Sequence, residues 1–395
     1  MKLSTLKNIQ FEEMATLLHV KGREQLLEKF CSLGLPDKKS EAYRYFDVEK
    51  LFESDYTVTP ALPGAIGIGK KVVIIDGVVS TAPKGLRIYY KECESADMEH
   101  FDPMYFLGHL LSPVIIKIEV DGDAELEIEH HFTKSNSLVP YRIVLHNQAN
   151  RHATIYESFI ADDIENTLVL YGYDMHVAQD STLRVVKMHS MPDSRYAMIA
   201  SHKVNVAKQA NALIKSFDLG GGQALQLMKI ELDTYAHVDA AHLLYLNKDS
   251  KRGTVSQMIH KGEHSTSKQE AKNILDGKAR GIFDALIKVE HSAKYSKAEQ
   301  NSKAILLHKE AYMAAKPQLE IYIDELEASH GATTGQLSEK QLFYLQSRGI
   351  SYTEARKILV IAFANTLIET VKDTRQQEQI KAAFEEVFYT THQRG

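Results

Sequence analysis

Eighteen histidines and two cysteines carry most of the capacity of this 395-residue chain for metal or thiol chemistry. His330 is singled out by its surroundings. It lies in Ser329-His330-Gly331, after the acidic pair Asp324 and Glu325 and before a glycine able to relieve a sharp turn. A neutral imidazole held there can ligate iron or orient another ligand; the other reading is a turn histidine bonded to nearby backbone. The pairs His130 with His131 and His260 with His264 have neither thiolates nor a repeated carboxylate spacing beside them, and are read as packing or surface residues. Cys31 and Cys93 stand far along the chain from His330 and outside any CxxC frame, so each is read as a buried or idle thiol. Two cysteines in a chain of this length imply no disulfide framework and fit a reducing compartment, by default the cytoplasm.

Phosphate and nucleic-acid chemistry fit less well. Gly64, Gly69 and Lys70 nearly form a phosphate-binding loop, but Lys71 occupies the place of the metal-binding Ser or Thr. A Pro-containing segment precedes it and the strand-like run Val72 to Asp76 follows, where a helix is required, so a turn entering a strand is predicted. Gly220 to Gly222 is read as a corner between two strands. Lys38 to Phe46 interleaves bases with Tyr43, Tyr45 and Phe46; such residues can stack on nucleobases, but an arm anchored on the core is the preferred reading. With 47 basic and 52 acidic residues the net charge is −5, which argues against a nucleic-acid footprint. The first residues turn acidic before any signal-peptide core develops, and no window approaches ~20 uninterrupted apolar residues, so an unanchored protein is expected.

The elements that must position these residues follow from periodicity. Leu319, Ile321 and Ile323 alternate with Glu320, Tyr322 and Asp324, the period of a strand, which would place His330 at a strand end. Ser338 with Gln341 and Ser351 with Glu354 have the form of capping boxes. The first opens a short helix through Leu342, Phe343 and Leu345 that stops at Gly349; the second opens a longer one with Ile358, Leu359, Ala362, Phe363 and Ile368 on one face. These faces are expected to cover the end of the sheet while the opposite faces dock a partner. Two short helices are predicted between Leu3 and Phe30. From Ser112 onward short alternating runs succeed one another, among them Val114 to Val120, Ala124 to His130, Arg142 to Asn147, Thr154 to Ile160 and Thr182 to Lys187. Their spacing suits a sandwich, a barrel or a β-helix. Val238, Ala240, His242, Leu244 and Leu246 would share one face, with His242 a satisfied core histidine.

The chain resembles the SufB/SufD family of the SUF iron-sulfur cluster assembly system, and is most like its SufD members. The resemblance rests on Pro317 to Ile321, the acidic turn Asp324 to Glu325, Ser329 to Thr333, Gly335, Phe343 to Ile350 and the block His264 to Phe283, with the N-terminal motif at Leu35 to Phe46. It implies a mostly β fold: a right-handed parallel β-helix over residues 112–335, after a helical and mixed region over 1–111 and before a helical segment over 336–395. Strand is thereby implied for Ala298 to Ala315, where propensity favours helix. It also implies a non-catalytic scaffold subunit that docks the ATPase SufC and the paralogue SufB and assists iron entry, ATP chemistry belonging to SufC. The SufC-facing helical segment would use Arg348, Glu354 and Lys357. Many family members carry a cysteine two residues before the histidine matched by His330, where this chain has Ala328. No thiolate is available there, so this chain alone is expected to bind no stable cofactor, with transient iron or cluster confined to a SufB interface. A homodimer pairing two His330 sites is a further reading. A β-helix carbohydrate-active enzyme with a carboxylate pair in a groove is the competing class.

Overall fold

The computed structural model describes residues 23–60, 62–92, 96–191 and 195–392. The first of the two helices predicted before Phe30 and the residue Cys93 lie outside this set; the second is the helix Glu24–Leu33, with Cys31 exposed on it. From Val114 the strands alternate between two sheets in parallel register, forming a solenoid of about seven turns. One sheet has ten strands and runs from Arg87–Glu92 and Val114–Val120 to Tyr312–Ile321. The other has eleven and ends at Ser296–Leu306 and Leu326–Gly335.

Stacked rungs explain the short alternating runs. Inward side chains of successive rungs fall into rows, such as Leu126, Ile155, Val185, Ile214 and Ala240, while the backbone groups pair between neighbouring rungs. The corners need left-handed backbone, and Asn136, Asn150, Asn166 and Asp180 take it there. Asn166 Nδ2 donates to Asn136 Oδ1 of the preceding rung at 2.9 Å. The span Ala298 to Ala315 holds the end of one strand, a corner at residues 307–311 and the start of the next strand, not a helix, because pairing with Thr266–Leu275 and Arg280–Val289 outweighs the local helix preference of its Ala, Glu and Lys residues.

The strand Thr167–Val177 escaped the periodicity reading because it does not alternate. Val169 and Tyr171 face the solenoid interior, whereas Leu168 and Leu170 face the wholly buried helix Pro103–Leu111. A strand covered on both sides reads as a continuous apolar run. Packing there is close: a Cβ on Gly172 would stand 1.8 Å from the Ser201 carbonyl oxygen.

Lys38 to Phe46 is an anchored arm. Tyr43 and Phe46 are buried with Phe30, Phe106 and Leu138, and Tyr43 Oη donates to Asp102 at 2.6 Å, so neither ring is free for a nucleobase. Gly67–Ile68 and Val72–Ile75 bracket Gly69, and no helix follows it, so the phosphate-loop spacing is a strand turn. Gly220 to Gly222 is the expected corner, its Gly221 carbonyl accepting from buried Arg252.

The C-terminal helices correct one expectation. They do not cover the end of the sheet but lie on its outer face, where Val360, Ala364, Leu367, Phe384 and Phe388 pack on Phe217, Leu243, Tyr245 and Ile274. Each large apolar side chain so buried contributes about 1.5–3 kcal/mol. Lys215 fastens the turn between the two long helices by donating to the Thr370 carbonyl at 2.6 Å, and Lys272 donates to Thr366. Among the described residues no helix is long and apolar enough to cross a membrane.

Candidate functional site

Covering the outer face leaves the last rung open. Among the described residues, Tyr312–Ile321 pairs only with Arg280–Val289, and Leu326–Gly335 only with Ser296–Leu306, so each sheet of the described structure ends in an open edge. Exposed edges of this kind template further strand pairing. Ile321, Tyr312 and Tyr322 add exposed apolar surface at the same end.

His330 lies on this rung, but not at a strand end. It is in the middle of Leu326–Gly335, directly opposite Gln300, which in turn is opposite Gln269. The turn expected around it is displaced: Asp324 and Glu325 occupy the corner before the strand, where Glu325 faces Lys294 at 3.6 Å, and Gly331 is extended. The physical reason is the rung length, since pairing with Ser296–Leu306 extends the strand through Gly335.

Register also fixes the direction of the ring. Gln269 and Gln300 are 4% and 1% exposed, and both belong to the inward row that contains Ala240 and Ile214. Side chains alternate along a strand, so His330 points along the solenoid interior and is exposed because, among the described residues, no further rung stacks on it. Ala328 and Ala332 flank it on the same face, and Ala315, Pro317 and Leu319 continue inward rows from the other sheet. The mouth is an apolar ring holding one imidazole. Ala328, two residues before His330, is in that ring beside it.

Around the rim, Lys297 with Glu327 at 2.8 Å and Lys288 with Glu320 at 3.6 Å tie the last rung to the one before it. As exposed pairs they contribute little, typically under about 1 kcal/mol each.

The three tail residues are not brought to His330. Arg348 ends the helix Glu339–Ser347 with its guanidinium 5.4 Å from the Tyr344 ring centre, and Glu354 is exposed at the start of Tyr352–Ile368. Both capping serines accept as predicted, Ser338 from Gln341 N–H and Ser351 from Glu354 N–H. Lys357 is not a free surface charge: it stands 3.9 Å from Glu354 and 4.3 Å from the Tyr389 ring centre, and hydrogen bonding to Tyr389 raises its pKa. Phe343, read as part of an apolar stripe, is instead 73% exposed; with Tyr344, Tyr352 and Ile358 it forms exposed apolar surface on the tail. Only Leu342 of that short helix is buried.

A second polar cluster lies deep in the solenoid and was not legible in the sequence. Asp218 accepts from His189 Nδ1 at 3.1 Å and His242 Nε2 at 2.9 Å, with Arg252 at 3.7 Å. Burial opposes its charge, but Lys187 and the two imidazoles outweigh burial and hold the carboxyl well below the usual carboxylate range. His242 is thus the satisfied core histidine expected. His130, between Glu157 at 2.9 Å and Tyr141 at 2.8 Å, and His260, between Ser265 and Ser267, are likewise structural. His264 stacks between Tyr235 and Tyr295 at a corner. Among the described residues no three His, Cys, Asp or Glu side chains converge as a metal site.

Comparison with known proteins agrees with this architecture. The family model for the SufBD core domain of SUF-system iron-sulfur cluster assembly matches residues 130–363, and that for the SufBD N-terminal region matches residues 5–62. The chain belongs to the SufB/SufD family. Iron-sulfur cluster assembly protein SufD of Escherichia coli is 26% identical to it over 385 residues, 91% of this chain and 90% of that protein. A SufBD family protein of Synechocystis is 34% identical over 44% of this chain and 38% of its own length, and SufD of Bacillus subtilis is 31% identical over 33% and 30%. The chain is therefore a SufD-type member of an iron-sulfur cluster assembly family, whose SufBD proteins are scaffold subunits of the Suf system. The family assignment displaces the carbohydrate-active reading.

Proposed function

We propose that this chain is the SufD-type half of a two-paralogue scaffold: its open last rung pairs with a SufB-type partner, its helical tail docks the ATPase SufC, and His330 assists iron entry at the junction. The observation that carries the reading is the open rung with a single imidazole in its mouth. An uncapped solenoid end exposes unpaired backbone on two sheets at once, and a partner with a similar end satisfies both. A partner stacked there sets its own inward residues against His330, supplying donors that this chain lacks. Neutral imidazole suits ferrous iron, and one imidazole alone holds it weakly, which fits iron as passing cargo. The exposed Phe343, Tyr344, Tyr352 and Ile358 suit a stable protein contact by the tail.

The test is co-expression with SufB and SufC from the same cell, followed by anaerobic reconstitution. The complex should form with His330→Ala as with the native chain, while its iron and sulfide content falls. Full content in the variant complex would overturn the role of His330; a complex that survives proline substitutions along Leu326–Gly335 would overturn the role of the edge. The edge is also self-complementary, so purified chain without SufB should pair through the same rung. Loss of that dimer on adding SufB marks a shared surface.

A further inference from the structure

We propose that Gln300 is the positioning residue of His330: its side-chain carbonyl oxygen accepts the ring N–H and fixes which imidazole nitrogen faces out of the mouth. The inference rests on the reading of His330 as the iron-facing group. Three observations lead to it.

Gln300 and His330 are directly opposite each other on adjacent parallel strands, on the same inward face, where neighbouring backbones run about 4.8 Å apart. Gln300 is 1% exposed, so its amide has only protein groups to bond. Its Nε2 donates to the Ala285 carbonyl at 2.9 Å. A carbonyl can only accept, and this fixes the amide orientation that is otherwise ambiguous for glutamine. Oε1 is thereby left as a buried acceptor with no hydrogen-bond partner.

Two neighbours can supply a proton to that oxygen. One is Gln269 Nε2, a buried donor that also lacks a partner one rung below. The other is His330, one rung above, whose flanking inward residues Ala328 and Ala332 offer its ring nothing polar. A carbonyl oxygen accepts two bonds, so Gln300 can take both and complete a column from Gln269 to the mouth. The His330 ring, exposed and uncovered, is free to rotate into this bond. A neutral imidazole donates through one nitrogen and ligates through the other, so an acceptor behind the ring selects the ligating nitrogen. Metal-binding histidines are commonly held this way, and losing the outer partner weakens metal binding about 10- to 100-fold.

Nitrogen NMR of ¹⁵N-histidine-labelled protein tests this, with the His330 signal assigned by its loss in His330→Ala. At mildly alkaline pH the native chain should show a single neutral tautomer with its N–H protected from solvent. Gln300→Leu should show the mixture of a free imidazole, and Gln300→Glu, which keeps an acceptor oxygen, should restore one tautomer. A mixture in the native chain, or the same tautomer in Gln300→Leu, overturns the proposal; the native measurement decides even if a variant folds poorly. Iron content of the assembled complex separates the two readings. If Gln300 fixes the tautomer but His330→Ala retains full iron content, the iron role fails and the Gln300 bond stands. If His330→Ala loses iron but Gln300→Leu leaves the tautomer unchanged, the iron role stands and this inference fails.

Discussion

Replacing Asp218 with asparagine should destabilise the middle of the solenoid by about 3–5 kcal/mol, the usual result of removing one member of a buried ion pair. The structure says why the loss is not relieved. Arg252 is fully buried and its guanidinium is fixed by the carbonyls of Gly221 and His189, so it cannot swing into water when its counter-charge disappears. At 3.7 Å and an effective dielectric of about 20, the lost attraction is about 4.5 kcal/mol, within the same range. His189 and His242 bond different oxygens of Asp218, so only one of them can still donate to the single amide oxygen of asparagine and the other faces its NH2 group. Urea unfolding gives the total, and hydrogen exchange over Gly220 to His260 locates it, since solenoid rungs lose protection locally. Arg252→Met and the double variant complete a thermodynamic cycle in which the double variant should lose less than the two single variants together. A stability of Asp218→Asn within about 0.5 kcal/mol of the native chain would refute the reasoning.

Acid should weaken the fold well above the carboxylate range. Burial lowers the pKa values of His189 and His260 from 6.5 to about 4, so the unfolded chain binds protons that the folded one cannot. This stability is fully present above pH 6.5 and is lost as pH falls toward about 4, at most about 3 kcal/mol for His260; a urea midpoint unchanged between neutral pH and pH 4 would contradict it. Gly172→Ala should cost more than about 4 kcal/mol or abolish folding, because its new methyl group overlaps the Ser201 carbonyl; normal soluble yield and thermal midpoint would show that the backbone yields. Phe343→Glu should cut co-purification with SufC at least tenfold and shift stability by less than about 0.5 kcal/mol, as expected of a residue 73% exposed; an unchanged yield of the complex would move the SufC contact off this helix.

The sequence by itself determined the local elements whose causes are local. Capping serines at Ser338 and Ser351 opened their helices, Gly349 stopped the first in a left-handed conformation at φ 84°, and the corner at Gly220 to Gly222 fell where glycines allow it. Alternating runs such as Ala124 to His130 were legible because one side of the strand Ala124–Phe132 faces the interior and the other is less covered. The strand Thr167–Val177 was not, because a helix from an earlier part of the chain buries its second side and erases the alternation. The strand nature of Ala298 to Ala315 needed neighbours on the preceding rungs, which no local propensity encodes.

The site divides in the same way. Residue type and the resemblance at Ser329 to Thr333 marked His330, but tertiary register alone decided that it points along the interior of an open rung and stands over Gln300. A contact between residues thirty apart is set by the length of one solenoid turn, which depends on every corner in that turn. Asp218 with His189, His242 and Arg252 was invisible for the same reason: four polar residues, dispersed over several strands, become one buried cluster only when the rungs stack.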